Sequence, residues 1–166
     1  MHIYVQNLST LSIFAILIFL AFTLFLYVTR NQERLTKTIS IILLLVAIYG
    51  VLSHTVLHRT PSDEHVFVFA THNSESAREM FMNALLYYPL SLSLTVLIGS
   101  WSILIAFILS ILIESWQYFA GTGLAQGTDV IMNTLGAAIG ALPWIIVRLI
   151  IKRQKRSKTR EDHGRR

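Results

Sequence analysis

From Phe81 to Ile113 the chain runs 33 residues without an Asp, Glu, Lys or Arg. At 1.5 Å rise per residue a single helix of that length would extend about 50 Å, well past the roughly 30 Å hydrocarbon core of a bilayer even with tilt. The run therefore has to break, and Gly99-Ser100 near its middle is the place. It reads as two helices, about 80–98 and 100–119, joined by a very tight turn. Two further charge-free runs, about 8–28 and 39–56, and a mostly apolar segment, about 129–151, complete a bundle of five transmembrane helices. The first is read as a retained span rather than a signal peptide, because Met1 to Asn7 has no basic residue and no small-residue cleavage site follows. Apolar residues make up 54% of the 166 and charged residues only 14%, against about 25% charged in soluble domains. An all-α integral membrane protein of one domain is expected, and a soluble monomer is excluded. The absence of cysteine removes disulfides, thiolate nucleophiles and cysteine metal sites.

Orientation follows from where the cations lie. The first connection carries Arg30, Arg34 and Lys37 against Glu33, and the segment from Arg148 onward carries nine Lys/Arg against Glu161 and Asp162. The connection between the second and third spans is acidic, with Asp63, Glu64, Glu75 and Glu79 against Arg59 and Arg78. Five crossings put both basic segments on one side, so the N-terminus is expected outside and the C-terminal tail, 152–166, in the cytoplasm. The net charge of +5 is thereby a topology signal that meets anionic headgroups, and no nucleic-acid partner is expected. Pro89 inside the third helix predicts a kink there.

Depth then sorts the polar residues of the apolar stretches. Asn83 begins the third helix, Glu114 and Gln117 (i, i+3) lie near the end of the fourth, and Asp129 and Asn133 (i, i+4) begin the fifth. All five fall at one membrane depth on the outer side. Asp129 follows Thr128, a good N-cap, and a carboxylate in a first helical turn is stabilised by unpaired N–H groups and the helix dipole, which is reason enough for it to be there. Glu114 has no such excuse, since an ionised group among apolar residues has to face a partner or a cavity. Should the two carboxylates approach closely, one would hold a proton near neutrality and the pair could do acid–base work. Glu114 and Asp129 are thus the candidate catalytic residues. Asn83, Gln117 and Asn133 either bind a polar ligand or satisfy the carboxylates.

Three other features are better read as structure. His54 and His58 have metal-ligand spacing, but two histidines do not make a site, and no metal or cofactor is expected. Gly136 and Gly140, with Ala137 and Ala141, form a small-xxx-small surface suited to helix packing, or to a membrane-protein partner. The segment Gly121 to Gly127 precedes a helix like a phosphate-cradling loop, yet it follows a helix and lacks a lysine, so a turn explains its glycines equally well. The apolar run Val66 to Ala70 in the outer connection reads as an interfacial or re-entrant piece.

The blocks Asn83-Ala84-Leu85-Leu86-Tyr87-Tyr88-Pro89-Leu90, Ile113-Glu114-Ser115-Trp116-Gln117 and Asp129-Val130-Ile131-Met132-Asn133-Thr134-Leu135-Gly136-Ala137 with Gly140 resemble, in order and spacing, the signature blocks of VanZ-like membrane proteins. The resemblance implies a multi-pass protein of the bacterial plasma membrane, of the type associated with low-level resistance to teicoplanin, a lipoglycopeptide that acts on cell-wall precursors outside the membrane. The family's polar positions carry over as Asn83, Pro89, Glu114, Gln117, Asp129 and Asn133. Two positions depart from the family pattern: Ser91 stands where glycine usually follows Pro-Leu, and Ala125-Gln126-Gly127 stands where a basic residue often precedes the aspartate.

Three functions fit these residues: resistance or envelope homeostasis through an outer-leaflet polar site that meets a lipid-linked precursor or lipoglycopeptide; an enzyme acting on a lipid headgroup with the Glu114 and Asp129 pair; or a non-catalytic helper binding another membrane protein through the Gly136/Gly140 face. The sequence leaves open whether the chain is an enzyme. Five spans without an internal repeat do not suggest a transporter.

Overall fold

The computed structural model describes residue 17 and residues 20–29, 31–57, 65–69 and 74–164. A short helix α1 (Leu20–Thr29) leads into α2 (Glu33–Leu52), which continues as a five-residue π-helical turn, Ser53–Leu57. Strand β1 (Phe67–Val68), α3 (Ser74–Ile98), α4 (Trp101–Ala120), strand β2 (Ala125–Gln126) and α5 (Gly127–Gly164) follow. Among the described residues, four segments are long and apolar enough to cross a membrane: Glu33–Leu57, Arg78–Ile98, Trp101–Ala120 and Gly127–Gln154. They correspond to the second to fifth expected spans. Of the first, 8–28, residues 8–16, 18 and 19 lie outside the described residues, as do His58 and residues 1–7.

The hairpin turn falls where the charge-free run required it. Gly99 adopts φ +71° and its N–H bonds the Thr95 carbonyl at 2.9 Å, closing α3 in the left-handed conformation that glycine adopts without a Cβ penalty. The helices themselves outrun the apolar segments. At the start of α2, Glu33 lies in the first turn and pairs with Lys37 at 2.7 Å, an i, i+4 pair that supports helix before the apolar run begins. α3 starts at Ser74 rather than near Met80, and α5 continues through the tail to Gly164. Lys, Arg and Gln are good helix formers, and each residue added to an existing helix gains a hydrogen bond without a new nucleus. Hydropathy marks where a helix is apolar, not where it ends. α3 is an unbroken helix through Pro89, and α5 through Pro143.

α3 is the central element, packed against α2, α4 and most extensively α5. Two apolar clusters fill the bundle. One joins Ala47, Val51, Tyr87, Leu90, Ala106, Ile113 and Ala137; the other joins Leu26, Leu92, Val96, Trp144 and Val147. Most of the buried polar residues are small and hydroxylated, including Ser40, Ser91, Ser93, Ser102 and Ser110. Large apolar side chains such as Leu45, Val46, Leu112, Ile139 and Ile146 point outward. This inversion suits a bundle in lipid, where close helix approach, and not exclusion of apolar surface from water, drives association.

Ser91 joins that hydroxyl seam. Its Oγ donates to Ser102 Oγ at 3.3 Å, beside a 2.6 Å contact between Thr95 Oγ1 and Ser102 Oγ, so the residue that departs from the family's glycine ties α3 to α4. The Gly136/Gly140 face requires a correction. Both glycines are buried, and a Cβ at either would overlap α3 backbone, at the carbonyls of Ala84 and Tyr88 respectively. α3 already occupies the surface that the sequence reading offered to a partner protein.

Candidate functional site

The C-terminal end of α2, the start of α3, the end of α4 and the start of α5 converge at one end of the bundle, and two loops close over it. β1 and β2 pair in parallel, Phe67 opposite Ala125 and Val68 opposite Gln126. The Ala125 N–H donates to the Val66 carbonyl at 3.2 Å and the Thr128 N–H to the Phe69 carbonyl at 2.9 Å. That second bond satisfies one of the N–H groups left unpaired at a helix start. It also displaces the expected capping role of Thr128, because α5 begins one residue earlier, at Gly127. Gly127 leaves room for this pairing: a Cβ there would come within 2.8 Å of the Phe69 ring, which would have to shift. Residues Val66 to Phe69 therefore serve as a clasp on the α4–α5 connection, with Phe67 and Phe69 exposed on it. On the other side Gly121, at φ +61°, caps α4, and the His65 ring Nδ1 lies 2.7 Å from the Tyr118 carbonyl oxygen.

Beneath this clasp, the five candidate polar residues separate into three settings. Glu114 is buried and its Oε2 accepts the Gln126 backbone N–H at 2.7 Å. A charge-assisted bond of this length to a backbone donor stabilises an ionised carboxylate and fixes the β2 strand. Gln117 and Asn133 are also buried and tie helices together. Gln117 Nε2 donates to the Thr55 carbonyl at 3.0 Å, within the π-helical turn that ends α2. Asn133 Nδ2 donates to Ser110 Oγ at 2.8 Å, joining α5 to α4. Asn83 and Asp129, by contrast, line an open cleft of about 230 Å³, together with His54, Arg78, Glu79 and Gln126.

Glu114 lines a different cavity, of about 420 Å³, whose other walls are mostly apolar and aromatic, among them Phe67, Ile111, Tyr118 and Phe119. Gln126 stands between the two: its side chain borders the Asp129 cleft while its backbone holds Glu114. The polar cleft and the apolar cavity are thus adjacent and share the β2 loop as a wall. The Gly121 to Gly127 segment is the turn that builds this wall.

A VanZ/LLP1 family model matches residues 52–148, more than half of the chain. The chain belongs to the VanZ/LLP1 family. No curated protein matches it, and no solved structure does. The VanZ/LLP1 match takes in the three sequence blocks and extends beyond them to the π-helical turn and to the start of α3. The protein is accordingly a membrane protein by family as well as by its apolar helices.

Two VanZ/LLP1 cleft residues escaped the sequence reading, Arg78 and Glu79. The signal was present in spacing: Glu79 and Asn83 are i, i+4, so a helix begun one turn earlier puts them on one face. Arg78 also changes the electrostatics of the site. This chain lacks a basic residue in the loop before Asp129, yet a guanidinium and the Asp129 carboxylate line the same cleft. His54 belongs to this cleft as well, and among the described residues no group of three or more His, Asp or Glu is arranged to hold a metal ion.

Proposed function

We propose that this VanZ/LLP1 protein binds the polar portion of an amphiphilic cell-envelope molecule, a lipid-linked wall precursor or a lipoglycopeptide, at the outer leaflet, and that this binding underlies a resistance or envelope-homeostasis role. The observation that carries the reading is the adjacency of a charged cleft to an apolar cavity across a single loop. The cleft is lined by an arginine, two acids, a histidine and two amide residues that suit a headgroup, and the apolar cavity next to it suits a hydrocarbon substituent. The charge distribution supports an outer-leaflet location, since the described basic segments, at the start of α2 and the C-terminal part of α5, lie away from the cleft along the chain.

Binding is favoured over acid–base catalysis by the Glu114 and Asp129 pair. The two carboxylates line separate cavities on either side of Gln126, whereas a catalytic pair has to reach one substrate. The test is a susceptibility assay in cells expressing the wild-type chain, Asp129→Asn or Arg78→Gln, at equal membrane levels. Both variants are expected to lose protection against teicoplanin; unchanged protection in both would refute the reading.

A further inference from the structure

At the opposite end of the bundle, a cavity of about 450 Å³ lies between the α3–α4 turn and α5, bordered by Gly99, Ser100, Ile145, Arg148, Leu149 and Lys152. Its two cations are four residues apart on α5, so they share a face about 6 Å apart along the helix axis. Arg148 lies within the apolar run of α5, three residues short of Ile151, with Leu149 and Ile150 exposed beside it. An ionised group at that depth needs an anion or a route to the interface.

Among the described residues no acidic residue borders the cavity. Arg148 is nonetheless held in place. Its Nη2 donates to the Val96 carbonyl at 3.2 Å, near the C-terminal end of α3, and its guanidinium carbon stands 5.9 Å from the centroid of the Trp144 ring. Arg148 Nη1 also comes close to the turn, 3.4 Å from where a Cβ on Gly99 would stand. A guanidinium has five N–H donors and an ammonium three, so most of this donor set is available to a ligand. The positive end of the α4 dipole begins at the same turn. A positioned guanidinium, a neighbouring ammonium and apolar walls at headgroup depth match one chemistry.

We propose that this cavity binds the phosphate of an anionic phospholipid, with Arg148 and Lys152 as its ligands and the Ile145 and Leu149 side chains against the start of an acyl chain. It is a discrete site, distinct from the diffuse attraction of the basic tail for anionic membrane surfaces, and independent of the cleft around Asp129. The full chain, purified in detergent and titrated with phosphatidylglycerol or phosphatidylcholine, provides the test by native mass spectrometry. Preferential retention of phosphatidylglycerol is expected, falling about tenfold in Arg148→Gln/Lys152→Gln. Arg153→Gln/Arg156→Gln, which removes the same charge beyond the cavity, should retain the lipid as the wild type does. Lys152→Gln alone leaves the Val96 bond intact and should show a partial loss, which keeps the test open should the double variant fold poorly. Equal retention of the two lipids, an equal loss in the Arg153/Arg156 control, or displacement of the lipid by millimolar inorganic phosphate would each overturn the proposal.

Discussion

Glu114 is a carboxylate in an apolar helix, and one atom it meets is a backbone N–H. It accepts the backbone N–H of Gln126, so it organises the loop that separates two cavities. The consequence is testable by substitution. Glu114→Gln keeps an oxygen acceptor and is expected to fold normally, whereas Glu114→Leu leaves the Gln126 N–H without its acceptor. Loss of a buried partner costs about 1–3 kcal/mol, so the leucine variant should unfold at a lower temperature in detergent than the glutamine variant. Equal unfolding temperatures would show that the bond contributes nothing. Gln117 and Asn133 belong with Glu114 as residues that hold helices in register. Asp129 and Asn83 stand apart, because they border the polar cleft.

Among the elements, α3 has the largest structural role, and Gly136 and Gly140 of α5 are the reason it can. Their missing side chains let the α3 backbone pass at a separation no Cβ would allow. In membranes such close approach replaces the hydrophobic driving force that packs soluble helices. Gly136→Leu forces the two backbones apart, at a cost of about 3 kcal/mol or more by analogy with overpacked cores. The variant should therefore lose monomeric folded protein in size-exclusion chromatography, rather than lose only a binding partner. The β1–β2 clasp works on a smaller scale: a two-residue ladder is marginal on its own, and here it is reinforced by the Thr128 to Phe69 bond. Gly127→Val, which collides with the Phe69 ring, should release the clasp, read out as faster proteolysis between β1 and α3 with the helical content unchanged.

At the scale of the molecule, the two ends of the bundle differ in character. One is closed by paired loops over a cleft with acids, an arginine and an amide; the other carries the α3–α4 turn and the cavity of Arg148 and Lys152. The positive-inside rule predicts a cytoplasmic location for the second end. The cysteine-free chain makes this simple to check. A cysteine introduced at Thr122 should react with a membrane-impermeant maleimide in intact cells, and one at Ser157 only after permeabilisation. The reverse pattern would move the charged cleft to the inner leaflet and remove the basis for a ligand from outside.

Composition and charge-free runs determined the class of this protein, because the bilayer admits few solutions for uncharged segments of some 20 residues. They also located the α3–α4 turn, since a 33-residue apolar helix does not fit. The set of unusual polar residues was legible for the same reason: each is expensive where it lies. Their roles were not legible, because helical periodicity gives a face and a depth but no partner. That Glu114 meets a backbone N–H, that Arg78 joins Asp129 in one cleft, and that α3 covers the glycine face are decided by contacts between elements distant in sequence. Helix ends were likewise outside the reach of hydropathy, because a helix propagates through charged residues as readily as through apolar ones.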